Sequence, residues 1–316
     1  MNFPFYIAKR YLFAKKSHNA INIISMISIG GVAVGTMALI VVLSVFNGFD
    51  NLVQSLFNSF NPDLLVSVVE GKTFIPDRQL LSQLKKTDGV VDYAEVLEDK
   101  ALLKFDERQT IATVKGVSRN YGDISGVDSM IRQGEFVLEN KEDYYTVIGQ
   151  GIAYFLNISL DVRINYRPPI SVYVPRRSKS VSFNPDRAIN RRYITPVGIF
   201  SIEQDFDSKY ILVPLEFSRD LFGYSREVSS IEIKLDNYSN YSDVQEDVQE
   251  LFGDQFVIKN RFQQNQLFYQ TMETEKWIIF LILIFILAVA SFNVIGSLTM
   301  LILEKKSDIG ILSGMG

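Results

Sequence analysis

Two stretches of the chain are apolar over a length that a soluble core seldom needs. Residues 17–49 and 277–303 contain no Asp, Glu, Lys or Arg and no proline. Within the first, 23–46 is mostly Ile, Val, Met, Leu, Ala and Gly. A helix needs about 20 such residues to cross a hydrocarbon layer roughly 30 Å thick, so the pattern predicts transmembrane helices over 23–46 and 277–303. A cleavable leader fits the first poorly. Its apolar run exceeds the usual h-region of about 7–15 residues, and no small-x-small site follows it.

Between these stretches the period shortens. Alternating apolar segments predict strands over 64–69, 93–97, 110–117, 145–149, 170–174, 193–200, 210–214 and 229–235, clearest in the last, where Ile231, Ile233 and Leu235 share a face. Helical spacing fits 77–86, 150–157, 215–222 and 241–252. Breaks are expected at Pro168-Pro169 and across 126–134, and a division into two lobes with most of 75–200 in one. Helical pattern also covers 47–60 and 261–276, so each span is expected to continue outward as a stalk. The fold class is therefore an integral membrane protein, two transmembrane α-helices flanking a large α+β extracytoplasmic domain.

Charge supplies the orientation. Lys9, Arg10, Lys15 and Lys16 precede the first span, and no Lys or Arg follows until Lys72. Lys305 and Lys306 come directly after the second, with Lys276 the single opposing charge. The positive-inside rule keeps those flanks in the cytoplasm. Residues 1–22 read as a cytoplasmic amphipathic segment, since five aromatics among the first 13 residues suit the headgroup layer. Residues 47–276 form the outer domain with its stalks, and 304–316 lie inside.

In the first span, Gly31 and Gly35 make a G-x-x-x-G on which another helix can pack. Residues 50–275 hold 25 Lys/Arg against 34 Asp/Glu, a net of −9. Segment 175–192 breaks that rule. Arg176, Arg177, Lys179, Arg187, Arg191 and Arg192 oppose Asp186 alone, which makes a basic projection suited to an acidic protein patch or anionic headgroups.

Catalytic chemistry is missing from this inventory. The chain has no cysteine and one histidine, His18, on the cytoplasmic flank. That excludes His/Cys metal sites and Cys or Ser–His–Asp nucleophiles from the outer domain. Gly71-Lys72-Thr73 ends like a P-loop, but Val66 stands where the first glycine belongs. No catalytic residue, metal or cofactor is expected, and any work must be driven by a partner.

The end of the second span reads AVASFNVIGSLTMLILEKKSDIGILSGMG. This resembles the permease family that includes LolC, LolE, MacB and FtsX, in which a membrane helix runs into an E-K-[KR]-x-[DE]-I-[GA]-I-L turn. Glu304, Lys305, Lys306, Asp308, Ile309, Gly310, Ile311 and Leu312 match it. The resemblance implies that this is the start of a coupling helix, which docks on a cytoplasmic ABC ATPase subunit that binds the ATP. IAKRYLFAKK, VLSVFNGF and TVIGQGIAYFLNISLDVRI resemble the LolC/LolE branch. From it follow a MacB-like periplasmic domain of two lobes, a bacterial inner-membrane location and a second permease subunit, identical or related. Acylated lipoproteins are the implied cargo, in a cavity lined by Val45, Phe46, Asn47 and Phe49. By position, 175–192 is the counterpart of the family's carrier-binding hairpin, although its sequence is not close. Nucleic acid is not among the expected partners. The family has two further spans after the coupling helix, so the chain is expected to be cut short at Gly316. Alternatives are a MacB- or FtsX-type permease for efflux or cell-wall hydrolase regulation, or a two-span sensor with a ligand-binding outer domain.

Overall fold

The computed structural model describes Tyr6 and residues 19–140, 143–160, 168–177, 189–236 and 241–314. It separates into two compact units: 1–51 with 267–316, and 52–266. The expected amphipathic segment 1–22 lies almost wholly outside the described residues.

The helices of the structure are α1 (Asn19–Phe60), α2 (Arg78–Leu84), α3 (Tyr121–Ile124), α4 (Gln150–Leu156), α5 (Gln204–Asp207), α6 (Leu215–Phe222), α7 (Tyr241–Phe252), α8 (Arg261–Gln264) and α9 (Gln266–Gly314). The strands are β1 (Leu64–Val68), β2 (Val90–Phe105), β3 (Arg108–Val117), β4 (Ile131–Gly134), β5 (Glu139–Asn140), β6 (Asp143–Gly149), β7 (Ile170–Pro175), β8 (Ile189–Phe200), β9 (Tyr210–Pro214), β10 (Ser230–Leu235) and β11 (Phe256–Asn260).

The first unit holds most of α1 and α9, which contain the stretches Gly30–Phe49 and Tyr269–Met300, both long and apolar enough to cross a membrane. Their apolar side chains point outward: Val34, Met37, Ile40, Leu281, Phe285 and Phe292 are all exposed. At 1.5 Å per residue, the 42 residues of α1 span about 63 Å, twice a hydrocarbon layer, so helix remains for a stalk. The helix stops at Phe60 because Pro62 drives Asn61 out of the helical region.

The second unit, called the outer unit after the place expected for it from the sequence, is built on one sheet, ordered β11-β1-β10-β2-β3-β9-β6-β8-β4. Strand β7 pairs with both β2 and β8. The pairings β2–β3–β9–β6–β8–β7–β2 thus close a ring of six strands, and their registers are consistent with a single inward face. Ala101 faces Ala112, Val114 faces Ile211, Ile211 faces Ile148, Ile148 faces Ile199, and Ile194 faces Ile170. All of these residues belong to one buried cluster, joined by Ile152 and Leu156 of α4 and Leu221 of α6. The outward face of β3, β6 and β9 carries a second cluster around Phe60, Tyr121 and Phe200. A third packs α2 and α7 onto β1, β10 and β11.

Residues 52–266 form one compact unit in which three cores share a continuous sheet. The long β2 joins them, its first half pairing with β10 and its second with β3 and β7. All eight expected strands and four expected helices are present. Three strands were not expected. Short β11 buries only Ile258 well, two-residue β5 offers no period to read, and β4 falls inside the segment expected as a break. That segment ends at Gly134, where φ is +74°. A Cβ there would sit 1.9 Å from the Val197 carbonyl oxygen. Gly134→Ala should therefore destabilise the outer unit by at least about 2 kcal/mol, since strain and backbone collision add, and thermal unfolding would show it.

Candidate functional site

The outer unit receives both stalk ends at one junction. Asn61-Pro62-Asp63 leads from α1 into β1, and β11 leads into α8 through Asn260. The Asn260 side chain accepts from Gln263 N–H at 3.0 Å, while the Gln263 side chain accepts from Asn260 N–H at 3.0 Å. The Asp63 carboxylate joins the two ends. One oxygen meets the Arg261 guanidinium at 2.8 Å, and the other accepts the Leu235 N–H at 2.8 Å. Gln264 Nε2 also donates to the Pro62 carbonyl at 3.1 Å. The two Asp63 bonds are charge-assisted and tie the stalk ends to the sheet, so the junction resists separation.

Phe60, the last residue of α1, is 4% exposed. Its ring lies 4.6 Å from that of Phe206, 4.8 Å from Tyr210 and 6.3 Å from Phe200. The Lys115 ammonium sits 4.4 Å from the Phe60 centroid and 5.2 Å from that of Tyr121. Lys115 reaches across the β2 face to Glu232 on β10, with Nζ 2.8 Å from Oε1 and side-chain exposures of 4% and 6%. Burial opposes the Lys115 charge. The nearby Glu232 carboxylate more than offsets that cost and holds the ammonium above its usual range.

This junction was not singled out from sequence, although a signal existed. Lys115 is the one charge in the strand TIATVKGV, and Glu232 is the one carboxylate in SSIEIKL, which also carries Lys234. Buried charges come paired.

The residues nominated from sequence divide by region. In the first unit Gly35 faces the second apolar helix: a Cβ there would lie 4.0 Å from Ile286 Cγ2, whereas one at Gly31 would meet nothing within 4 Å. A cavity of about 270 Å³ opens beside Gly35, lined by Thr36, Leu39, Leu283 and Ser291. Val45, Asn47 and Phe49 are exposed at the far end of the first stretch. Phe46 is half-buried, and the Lys276 ammonium lies 5.9 Å from its ring centroid. The helix α9 continues unbroken from the second apolar stretch through Glu304, Lys305, Lys306, Asp308, Ile309, Gly310, Ile311 and Leu312 to Gly314, with Ile311 exposed. The turn that the resemblance implies does not interrupt it.

Of the basic segment, Lys179 and Arg187 lie outside the described residues. The other four cations are each engaged by neighbouring groups. Arg176 donates to the Asn190 side chain at 3.1 Å, and Arg177 stacks 4.0 Å from the Tyr224 ring. Arg191 stacks on Tyr173 and Tyr193, on the outward face of the strand ring. Arg192 grips Asp220 with two nitrogens, and this hydrogen bonding is the first cause holding the Asp220 carboxyl below its usual range. The base of the projection is thus fastened to the domain, with Arg176, Arg177 and Arg191 exposed.

The family model described as the MacB-like periplasmic core domain matches residues 25–251. The lipoprotein-releasing system transmembrane protein LolC of Neisseria meningitidis is 26% identical over 321 residues, covering 98% of this chain and 73% of that protein. LolE of Haemophilus influenzae is 22% identical over 335 residues, covering 100% of this chain and 75% of that protein. The periplasmic region of MacB from Actinobacillus actinomycetemcomitans aligns with a TM-score of 0.44 at 14% identity, over 69% of this chain and 94% of that one. With the family model covering most of the chain and LolC and LolE similar along nearly all of it, the chain belongs to the MacB-like periplasmic core domain family, as a permease of the LolC/LolE type.

Proposed function

We propose that this chain is the membrane subunit of an ABC transporter that extracts acylated lipoproteins from the bacterial inner membrane and passes them to a periplasmic carrier. The observation that carries this reading is the similarity to LolC and LolE over nearly the whole chain, apolar stretches included. The chain works as one of two permease subunits, and a separate cytoplasmic ATPase drives it. Residues 304–312 dock on that ATPase, Ile311 offering an exposed apolar contact. Both basic flanks are cytoplasmic and residues 47–276 periplasmic, as the Lys/Arg distribution supports. The acyl chains enter beside Val45, Phe46, Asn47 and Phe49. The 175–192 projection, with Arg191 outward between two tyrosine rings, meets the carrier.

Affinity purification of the tagged full-length protein from its native membranes tests the assignment. An ABC ATPase and acylated lipoproteins should co-purify; recovery of neither would overturn it. Phe49→Arg tests the cavity. A guanidinium near lipid costs about 1–3 kcal/mol depending on depth, so lipoprotein release should fall by on the order of tenfold. Unchanged release would remove Phe49 from the acyl path.

A further inference from the structure

Next to the stalk junction the outer unit has an open groove of about 1040 Å³ to which none of the roles above is assigned. Asn120, Gly122 and Asp123 line it, while the residues that follow, Ile124 to Gly126, line the junction cavity. One wall is the extended stretch 135–138 between β4 and β5. Phe136 and Leu138 pack on the core around Phe60 and Tyr121, and Glu135 N–H makes the last bond to β8, at the Val197 carbonyl. Beyond it, among the described residues, the N–H groups of Phe136, Val137 and Leu138 and the carbonyls of Phe136 and Val137 make no hydrogen bond. This is a short run of unpaired backbone beside a groove, and such a run can pair with an extended peptide as the edge of a sheet does.

The charges say what kind of peptide fits. Five carboxylates and two guanidinium groups line the groove, a net of −3. Both guanidinium groups are already neutralised, Arg219 by Glu95 at 3.0 Å and Glu216 at 2.9 Å, and Arg119 by Glu139. Asp128 has no cationic partner among the described residues, and the one ammonium at Asp123, that of Lys234, donates to its backbone carbonyl at 2.7 Å instead of pairing with its carboxylate. Val137, Leu215 and Pro214 add an apolar floor.

We propose that this groove is a docking site for an extended peptide segment of a partner polypeptide, laid along residues 136–138 with Lys or Arg side chains toward Asp123 and Asp128. Its backbone would complete the open edge, and its cations would balance the surplus carboxylates. The assignment rests on the outer unit alone and stands whether or not the chain moves lipoproteins.

The chain has no cysteine, so Val137→Cys creates its sole thiol. In the full chain held in uncharged detergent, the rate of maleimide labelling at that thiol reads occupancy. An alternating Lys-Val octapeptide should slow labelling on the order of tenfold, and the Glu-Val counterpart should not. Asp123→Lys with Asp128→Lys should abolish the protection, and added salt should weaken it. If Val137→Cys disturbs folding, Asp128→Cys on the same rim provides the thiol, with Asp123→Lys as the charge change. Equal protection by both peptides, or by neither, overturns the proposal. So does a thiol protected without peptide and freed by Arg176→Glu with Arg177→Glu, which would mean that the chain's own basic segment fills the groove.

Discussion

Lys115→Met is expected to lower the unfolding free energy of the outer domain by about 3–5 kcal/mol, because it leaves Glu232 charged, buried and unpaired. The size of the effect comes from the orphaned carboxylate rather than from any large net worth of the pair. Lys115→Met combined with Glu232→Leu should therefore recover most of the loss, and could exceed the parent in stability if the two side chains pack well. Thermal unfolding of the detergent-held chain by circular dichroism measures both. If the single and double variants lost the same stability, the stranded-charge explanation would fail. The pH dependence has a fixed sign. A lysine whose folded pKa is raised contributes stability that is fully present below its unfolded pKa, about 10.4, and lost only as pH rises through the folded value. Between about pH 6 and pH 9 the lysine's contribution should therefore be flat.

Much of this fold was legible in the chain because its strands and helices carry their period openly. SSIEIKL alternates cleanly and became β10, with Ile231, Ile233 and Leu235 buried. Residues 98–104 did not read as strand, since Glu98, Asp99, Lys100 and Lys104 interrupt the alternation. They nevertheless extend β2, because β3 and β7 pair with them from either side. Closure of the six-strand ring depends on β7 meeting β2 about 70 residues away in sequence, and no local pattern records a contact of that kind. The basic projection was visible from composition alone. What composition could not show is that most of the cations at its base are occupied by Asn190, Tyr224 and Asp220. The junction escaped for a related reason. Asp63 and Arg261 are ordinary charges in sequence, Lys115 and Glu232 stand out only within their own strands, and only the sheet brings the partners together.

Phe60→Ala should remove about 3–5 kcal/mol from the outer domain, the usual range for emptying a buried aromatic site. Phe60→Leu keeps much of the apolar volume and should cost clearly less, though Lys115 would still lose a ring face worth about 0.5–2 kcal/mol. The functional consequence depends on where Phe60 sits. Helix α1 runs without a break from its apolar stretch to this residue, and the chain then turns at Pro62. Displacement of the end of α1 is taken up by whatever grips it, and here the grip is a packed aromatic socket with an ion pair beneath it. Within the permease reading, a loosened socket lets the stalk move without moving the sheet. Phe60→Leu, folded but looser, should therefore retain its co-purifying ATPase while lipoprotein release from membrane vesicles falls several-fold. Release and ATPase recovery falling together would point to general misassembly instead. Release unchanged in Phe60→Leu would mean that motion reaches the outer domain through the Arg261–Asp63 end, which Arg261→Met then tests directly.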